Sequence, residues 1–382
     1  MNTTRLLQRL IEYPTVSRDS NLDLIHFVAN YLEDHGCQPL LVHNDDKTKA
    51  NLYATIGPLD IPGVMLSGHS DVVPTDGQAW SRDPFKADII DGRMYGRGTT
   101  DMKGFIASTL ALVPLAAERK LHKPLNFAFS YDEEIGCVGV RGLIDHLQDL
   151  EIKPELCIVG EPTGMLPCIA HKGKTAAHCH CTGSAAHSAL TDRGLNAIYL
   201  ATDMINEIRA LQNEIILHRQ HDKDFEVPYT TLHVGTIEGG TVLNIVPDHC
   251  TFKFEIRNLS SDEPDELIEQ LNHTAQGIAG KYKDQFADTG IAIEVYNQYP
   301  ALDIAANTNA VRYVKSLSQQ TQHGKIAFGT EGGLFQKRLD IPSVVCGPGS
   351  MDQGHKPDEF IDQQQLAQCD DMLIRLLDDV SQ

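Results

Sequence analysis

The feature that most constrains this chain is a change of rhythm along it. Up to about residue 175, short apolar runs alternate with segments of helical periodicity: a helix near 20–35, VMLSG at 64–68, a helix near 103–119, LNFAFSY at 125–131, a helix near 138–149, and LCIVG at 156–160. Such alternation predicts βαβ units and a largely parallel sheet. From about 175 the strands lengthen and alternate strictly (TAAHCHCTG, YTTLHVGTI, HCTFKFEIRN), around helices near 194–213 and 264–280. That pattern predicts a separate α+β unit. The first rhythm returns after about 297, with a helix near 307–319 and the strand PSVVCG at 342–347. A chain of 382 residues also exceeds what one hydrophobic core usually serves. The expectation is an α/β catalytic domain with a mixed, largely parallel sheet, built from 1–175 and 297–382, with a smaller unit inserted over 176–296.

Charge and composition narrow the classes of function. A net charge of −20, without any Lys/Arg run, argues against a nucleic-acid partner, because phosphate binding needs a clustered basic face. No stretch has the apolar length of a membrane span, and the first twenty residues lack the basic-then-apolar order of a secretory leader. A cytoplasmic protein with no membrane partner is expected. Nine cysteines form an odd count without paired spacing, several inside strand-like runs such as LCIVG and SVVCG, which reads as reduced, buried thiols.

The apolar runs end in chemistry. VMLSG leads into His69 and Asp71, LNFAFSY into Asp132, Glu133 and Glu134, and LCIVG into Glu161; the strand ending at Cys346 precedes a loop holding His355, and Asp101 lies in the glycine-rich GRGTTDMKG. Sites of open α/β sheets form at the carboxyl ends of strands, so these side chains can converge. Taken singly, each has an ordinary reading: His69 a core histidine, Asp101 a helix N-cap, Glu133 and Glu134 a solvated turn. Together they present five or more acids to one crevice, where they repel and resist ionisation unless cations balance them. If Asp101 bridges two divalent ions, with Glu134 and His355 on one and His69 and Glu161 on the other, three carboxylates and a hydroxide neutralise four positive charges. Imidazole and carboxylate donors without thiolates suit zinc, with cobalt or manganese as substitutes.

The strings SGHSDVVP, GRGTTDMKG, DEE, GEPT and GHKPDE resemble, in order and spacing, the successive signatures of the M20 family of metallopeptidases and deacylases. The resemblance implies a zinc-peptidase-like catalytic domain and an inserted ferredoxin-like domain for dimerisation and lid closure. It implies two zinc ions on His69, Asp101, Glu134, Glu161 and His355, with Asp101 bridging and followed by a cis peptide to Met102. It further implies that Asp71 orients His69, that Glu133 is the general acid/base, and that His187, in GSAAHSA, stabilises the oxyanion in the partner subunit of a homodimer. Ala186 stands there in place of the family's usual glycine. Arg257, closing TFKFEIR, matches a position that reads the substrate α-carboxylate, with Asn244 in TVLNIVPD as a neighbouring donor; a structural ion pair is the competing reading of Arg257.

Within the family, AHKGK at 170–174, RGLNAI at 193–198, FEVPYTTLHVGTIEGG at 225–240 and CGPGSMDQGHKPDE at 346–359 most resemble the members that convert N-acetylornithine to ornithine and acetate in arginine synthesis. The expected partner is thus a small acylated amino acid. Rival readings are removal of succinate from succinyl-diaminopimelate, another N-acyl-amino-acid deacylase, and a non-catalytic metal-binding homologue. Two further features carry less weight. In His178-Cys179-His180-Cys181, strand alternation sends histidines and cysteines to opposite faces, against a shared metal site. GTIEGG at 235–240 lacks the strand and helix context of a phosphate cradle and reads as a hairpin turn.

Overall fold

The computed structural model describes residues 1–381 and divides the chain into two compact units, Met1–His171 with Leu302–Gln382, and Lys172–Ala301. Boundaries at 175/176 and 296/297 would cut two strands, Lys174–Thr182 and Gly290–Tyr299, that belong whole to the smaller unit.

The larger unit is built on a nine-stranded mixed sheet. At its centre Val64–His69 pairs in parallel with Leu125–Ser130 on one side and Leu156–Pro162 on the other, and Ser343–Gly347 continues the parallel run. These four strands are buried throughout, as expected of parallel strands covered on both faces. The outer strands Leu40–His43 and Ala50–Ile56 join antiparallel. The helix Lys103–Ala117 is apolar almost all round and correspondingly buried, packing against the helices Thr3–Ile11 and Gln363–Val380 as well as the sheet. A three-stranded sheet, ordered Phe360–Asp362, Arg93–Tyr95, Asp88–Ile90, ties the C-terminal part to the loop that carries Asp101.

The smaller unit runs strand, helix, strand, strand, helix, strand. Its antiparallel sheet is ordered Thr231–Gly239, His249–Arg257, Lys174–Thr182, Gly290–Tyr299, which is the ferredoxin-like arrangement. Helices Ala197–His218 and Pro264–Gly280 cover one face, over a core that includes Cys179, Cys181, Cys250, Phe252 and Phe254. All nine cysteines are buried and unpaired by disulfides. GTIEGG is not itself a turn: its residues through Gly239 belong to the strand, which bulges at Gly235, and only Gly240, at φ +76°, lies in the connection.

Close packing at the sheet centre depends on Gly160. A methyl there would lie 1.9 Å from Cγ of Phe105, a ring buried in the helix beneath, with no space to retreat. Gly160→Ala should destabilise the larger unit by about 3 kcal/mol, the upper part of the range for overpacking. A urea titration of the full chain checks this, and an unchanged midpoint would mean the core yields there more readily than its packing indicates.

Candidate metal centre

His69 ends its strand, Glu161 lies near the end of the next, and Glu133 and Glu134 follow Leu125–Ser130, so parallel register alone brings their side chains to one edge. Asp101 arrives from the loop preceding Lys103–Ala117. It does not cap that helix, whose N-cap is Met102 without a side-chain hydrogen bond. The Asp101–Met102 peptide is cis.

The decisive geometry is at the Asp101 carboxylate. Its Oδ1 lies 3.1 Å from His69 Nε2 and its Oδ2 lies 3.1 Å from His355 Nε2. Beyond them, Glu161 Oε1 is 3.7 Å from His69 Nε2, and Glu134 Oε2 is 3.1 Å from His355 Nε2. One carboxylate therefore spans two imidazole–glutamate pairs. Donors bound at about 2.0–2.1 Å to a tetrahedral zinc would lie about 3.3 Å apart, and the observed spacings bracket that value. Glu134 Oε1 is buried without a hydrogen-bond partner, as a ligand atom awaiting a cation would be. The donor set fits two divalent ions.

Electrostatics point the same way. Burial and the nearby Asp101 push the Glu134 carboxyl up to about 7, despite His355. Glu133 is pushed up to about 8 by burial, with Glu134, Glu331 and Asp71 adding to it and His69 opposing. Glu161 is raised well above the carboxylate range by burial and by Asp101. Asp101 is held below that range: burial works against it, and hydrogen bonds from His355 and His69 prevail. His355 rises to about 10 through Asp101 and Glu134. Burial and mutual repulsion thus work against ionisation of the three glutamates, and divalent cations held by these donors would oppose that shift.

Asp71 does more than the sequence reading assigned to it. Its carboxylate accepts from the backbone N–H groups of Glu133 (3.1 Å) and Glu134 (3.3 Å), fixing the turn that presents both acids. His69 Nδ1 contacts the Asp71 backbone carbonyl at 2.9 Å, closer than the carboxylate at 3.5 Å, so the carbonyl shares the orienting role. The Ser17 hydroxyl donates to Asp71 Oδ2 at 2.7 Å. Asp132, at φ +54°, turns away from the cluster and pairs with Lys49 at 2.6 Å. Glu133 lies close to His69 and Glu161 and accepts from the Cys137 thiol at 3.2 Å.

Sequence reasoning missed the groups behind the ligands. Glu359 accepts from the backbone N–H groups of Gly98, Thr100 and Asp101, while its other oxygen takes a 2.6 Å bond from the buried Arg97 guanidinium. Glu331 accepts from the Ser130 and Ser67 hydroxyls beneath the site, and burial raises it to about 7. A buried acid late in the chain had no local signal linking it to residue 98 or 130.

The remaining predicted residues lie in the smaller unit. His187 and Asn244 are neighbours there: His187 pairs with Ile245 in an isolated bridge, and Ser188 N–H donates to the Asn244 carbonyl at 3.0 Å. His187 is exposed, and its Nδ1 accepts from Ala189 N–H at 3.1 Å, which leaves the ring proton on Nε2. The Ala186 methyl is accommodated because residue 194 is glycine; a Cβ at Gly194 would come within 2.8 Å of it. Arg257 bonds Glu255 at 3.2 Å and the Tyr299 hydroxyl at 3.1 Å, so the ion pair is present.

A profile of peptidase family M20/M25/M40 matches residues 65–379. The chain belongs to that family. It is 32% identical to the acetylornithine deacetylase of Pasteurella multocida (strain Pm70) over 380 residues, 98% of this chain and 96% of that protein. It is likewise 32% identical to the acetylornithine deacetylase of Shigella sonnei (strain Ss046), over 97% and 96% of the two chains. An M20 family metallo-carboxypeptidase from Sulfolobus solfataricus shares its fold at a TM-score of 0.79 and 18% identity, covering 99% and 98% of the chains. A dinuclear metal binding peptidase of the family from Bacillus subtilis does so at 0.69 and 18%, covering 99% and 97%. As a family M20 member the chain is a metal-dependent hydrolase, and no helix among its described residues is long and apolar enough to cross a membrane.

The grip of Glu359 on the Asp101 loop is open to test. Glu359→Ala strands the buried Arg97 charge and three backbone donors, so unfolding free energy should fall by about 3–5 kcal/mol and bound metal should drop with it. Denaturant titration and elemental analysis of the same sample measure both; full metal content would show that Asp101 keeps its position unaided.

Proposed function

We propose that this M20 enzyme deacetylates N-acetyl-L-ornithine to L-ornithine and acetate, a step of arginine biosynthesis in the cytoplasm, using two zinc ions for which cobalt or manganese can substitute. The observation that carries the reading is the Asp101 carboxylate, with one oxygen against each of two imidazole–glutamate pairs. The choice of substrate is supported by the relatives at 32% identity over nearly the whole chain.

His69 and Glu161 would hold one ion, Glu134 and His355 the other, and Asp101 both. Ions so held supply Lewis acidity toward a carbonyl oxygen and toward water. Glu133 handles the proton. Adjoining Glu134 and lying close to His69 and Glu161, it is placed to take one from the attacking water and return it to the leaving amine. Asp71, itself held by Ser17, keeps the His69 ring and the Glu133–Glu134 turn in register. His187 offers an Nε2–H donor for the oxyanion, and Asn244 on the adjoining segment a further polar group. Homodimerisation through the smaller unit is supported by its edge strand Thr231–Gly239, largely exposed, and by exposed Ile237 and Tyr199.

The test compares kcat/KM for N-acetylornithine, N-acetylcitrulline, N-acetylmethionine and N-succinyl-diaminopimelate on metal-loaded protein. N-acetylornithine should lead, and chelation should abolish turnover. Glu133→Gln should keep its metal while slowing turnover about a hundredfold or more, whereas Glu134→Ala should lose metal. Near-normal turnover by Glu133→Gln would remove it from the mechanism.

Arg257 is assigned to the substrate α-carboxylate, which a planar guanidinium can hold through two charge-assisted bonds and an ammonium cannot. Arg257→Lys should therefore lower kcat/KM sharply for N-acetylornithine and much less for its α-carboxamide analogue. Equal losses, at unchanged thermal stability and metal content, would reduce Arg257 to its structural pairing with Glu255.

A further inference from the structure

The smaller unit carries a second group of metal-binding donors, which the hydrolytic centre does not use. His178 and His180 project from the face of Lys174–Thr182 opposite the helices, while the intervening Cys179 and Cys181 are fully buried beneath. The face with the histidines gains its third donor from the neighbouring strand. Glu294 is the register partner of His178, and its Oε2 lies 3.5 Å from His180 Nε2. Donor atoms of His178, His180 and Glu294 all fall within 4.8 Å of one another. Two histidines two apart on a strand and a carboxylate from the adjacent strand supply the wider spacing that the HCHC run lacks by itself.

The hydrogen bonding around His180 admits an arrangement that suits a ligand. The Thr251 hydroxyl lies 3.2 Å from His180 Nδ1 and 3.0 Å from His249 Nε2. That hydroxyl has one proton, so it donates to one ring and accepts from the other. When it donates to His249, it accepts Nδ1–H of His180, and the His180 lone pair at Nε2 then faces the Glu294 carboxylate. Two acceptors in that position repel unless a cation lies between them, and outer partners that set a ring tautomer are characteristic of metal-binding histidines. The platform is rigid, since Lys174–Thr182 is hydrogen-bonded on both sides, to His249–Arg257 and to Gly290–Tyr299. Tyr296, whose ring centroid is 4.7 Å from that of His178, supports the second imidazole from the side.

We propose that His178, His180 and Glu294 form a binding site for one late-transition divalent ion of the zinc class, separate from the hydrolytic centre, with Thr251 and His249 as outer-shell partners. Two imidazoles and a carboxylate select such an ion over calcium or magnesium, and three protein ligands leave a coordination position for water or a small anionic ligand.

The difference in uptake between variants tests this without depending on how many ions the hydrolytic centre holds. Full-length wild type and a His178→Asn/His180→Asn variant, both stripped with chelator and dialysed, are titrated with Zn²⁺ by calorimetry. The wild type should take up one equivalent more. Glu294→Gln, at an exposed position that cannot disturb the core, should weaken that additional equivalent at least about tenfold, and Thr251→Val, which keeps the side-chain shape but removes the hydroxyl, about tenfold to a hundredfold. Equal stoichiometry in wild type and double variant overturns the site and leaves His180 and Glu294 as neighbouring side chains on the sheet face. Should the double variant fail to fold, unchanged Zn²⁺ affinity for every equivalent in both Glu294→Gln and Thr251→Val overturns it equally.

Discussion

Mutual repulsion among buried carboxylates governs the larger unit. Asp101, Glu133, Glu134 and Glu161 meet where solvent cannot screen them, and Glu331 and Glu359 lie close behind. Each outer acid has its own remedy: Arg97 and three backbone amides for Glu359, the Ser130 and Ser67 hydroxyls for Glu331, Lys49 for Asp132. For Asp101 and its glutamates the protein provides two imidazoles, which suffice only if those imidazoles are protonated or share the cluster with metal. Fold and cation are therefore coupled: the parallel strands create the repulsion, and ions of the right charge and donor preference relieve it.

The smaller unit handles polarity differently. Its helices cover one face of the sheet and bury cysteines and phenylalanines, leaving histidines, acids and Arg257 on the strands' other side. Strict alternation sorts the same four-residue run into a sulfur-lined core and an imidazole-bearing face. What the face can bind is decided by the neighbouring strands, because only they bring Glu294 and Thr251 beside residues more than seventy positions away.

That distinction also explains how far the sequence could be read. Continuous apolar runs ending in His69, Glu134 and Glu161 were legible because parallel register converts strand ends into neighbours, a rule that needs no coordinates. The helices at 103–119 and 264–280 were legible from period and length, and appear as Lys103–Ala117 and Pro264–Gly280. GTIEGG misled because glycine signals turns, whereas here a bulge at Gly235 absorbs one glycine within a continuous strand. The Asp71 backbone carbonyl, the Ser17 hydroxyl and the Glu359 loop anchor carry no periodicity, so their partners were invisible until the chain was folded.

Insertion of the smaller unit has a consequence for the order in which the metal centre can exist. The strand Cys168–His171 leaves the larger unit and Leu302–Asp303 re-enters it as the direct antiparallel partner, so the long excursion begins and ends at paired residues. His69, Asp101, Glu134 and Glu161 all precede that excursion, while His355 and the Glu359 anchor follow it. During synthesis the ribosome thus delivers four of the five proposed donors well before the fifth. Until the segment around residues 355–359 emerges, the nascent chain holds all three proposed donors of one half-site, His69, Glu161 and Asp101, while the other lacks its imidazole and the Asp101 loop lacks its Glu359 anchor.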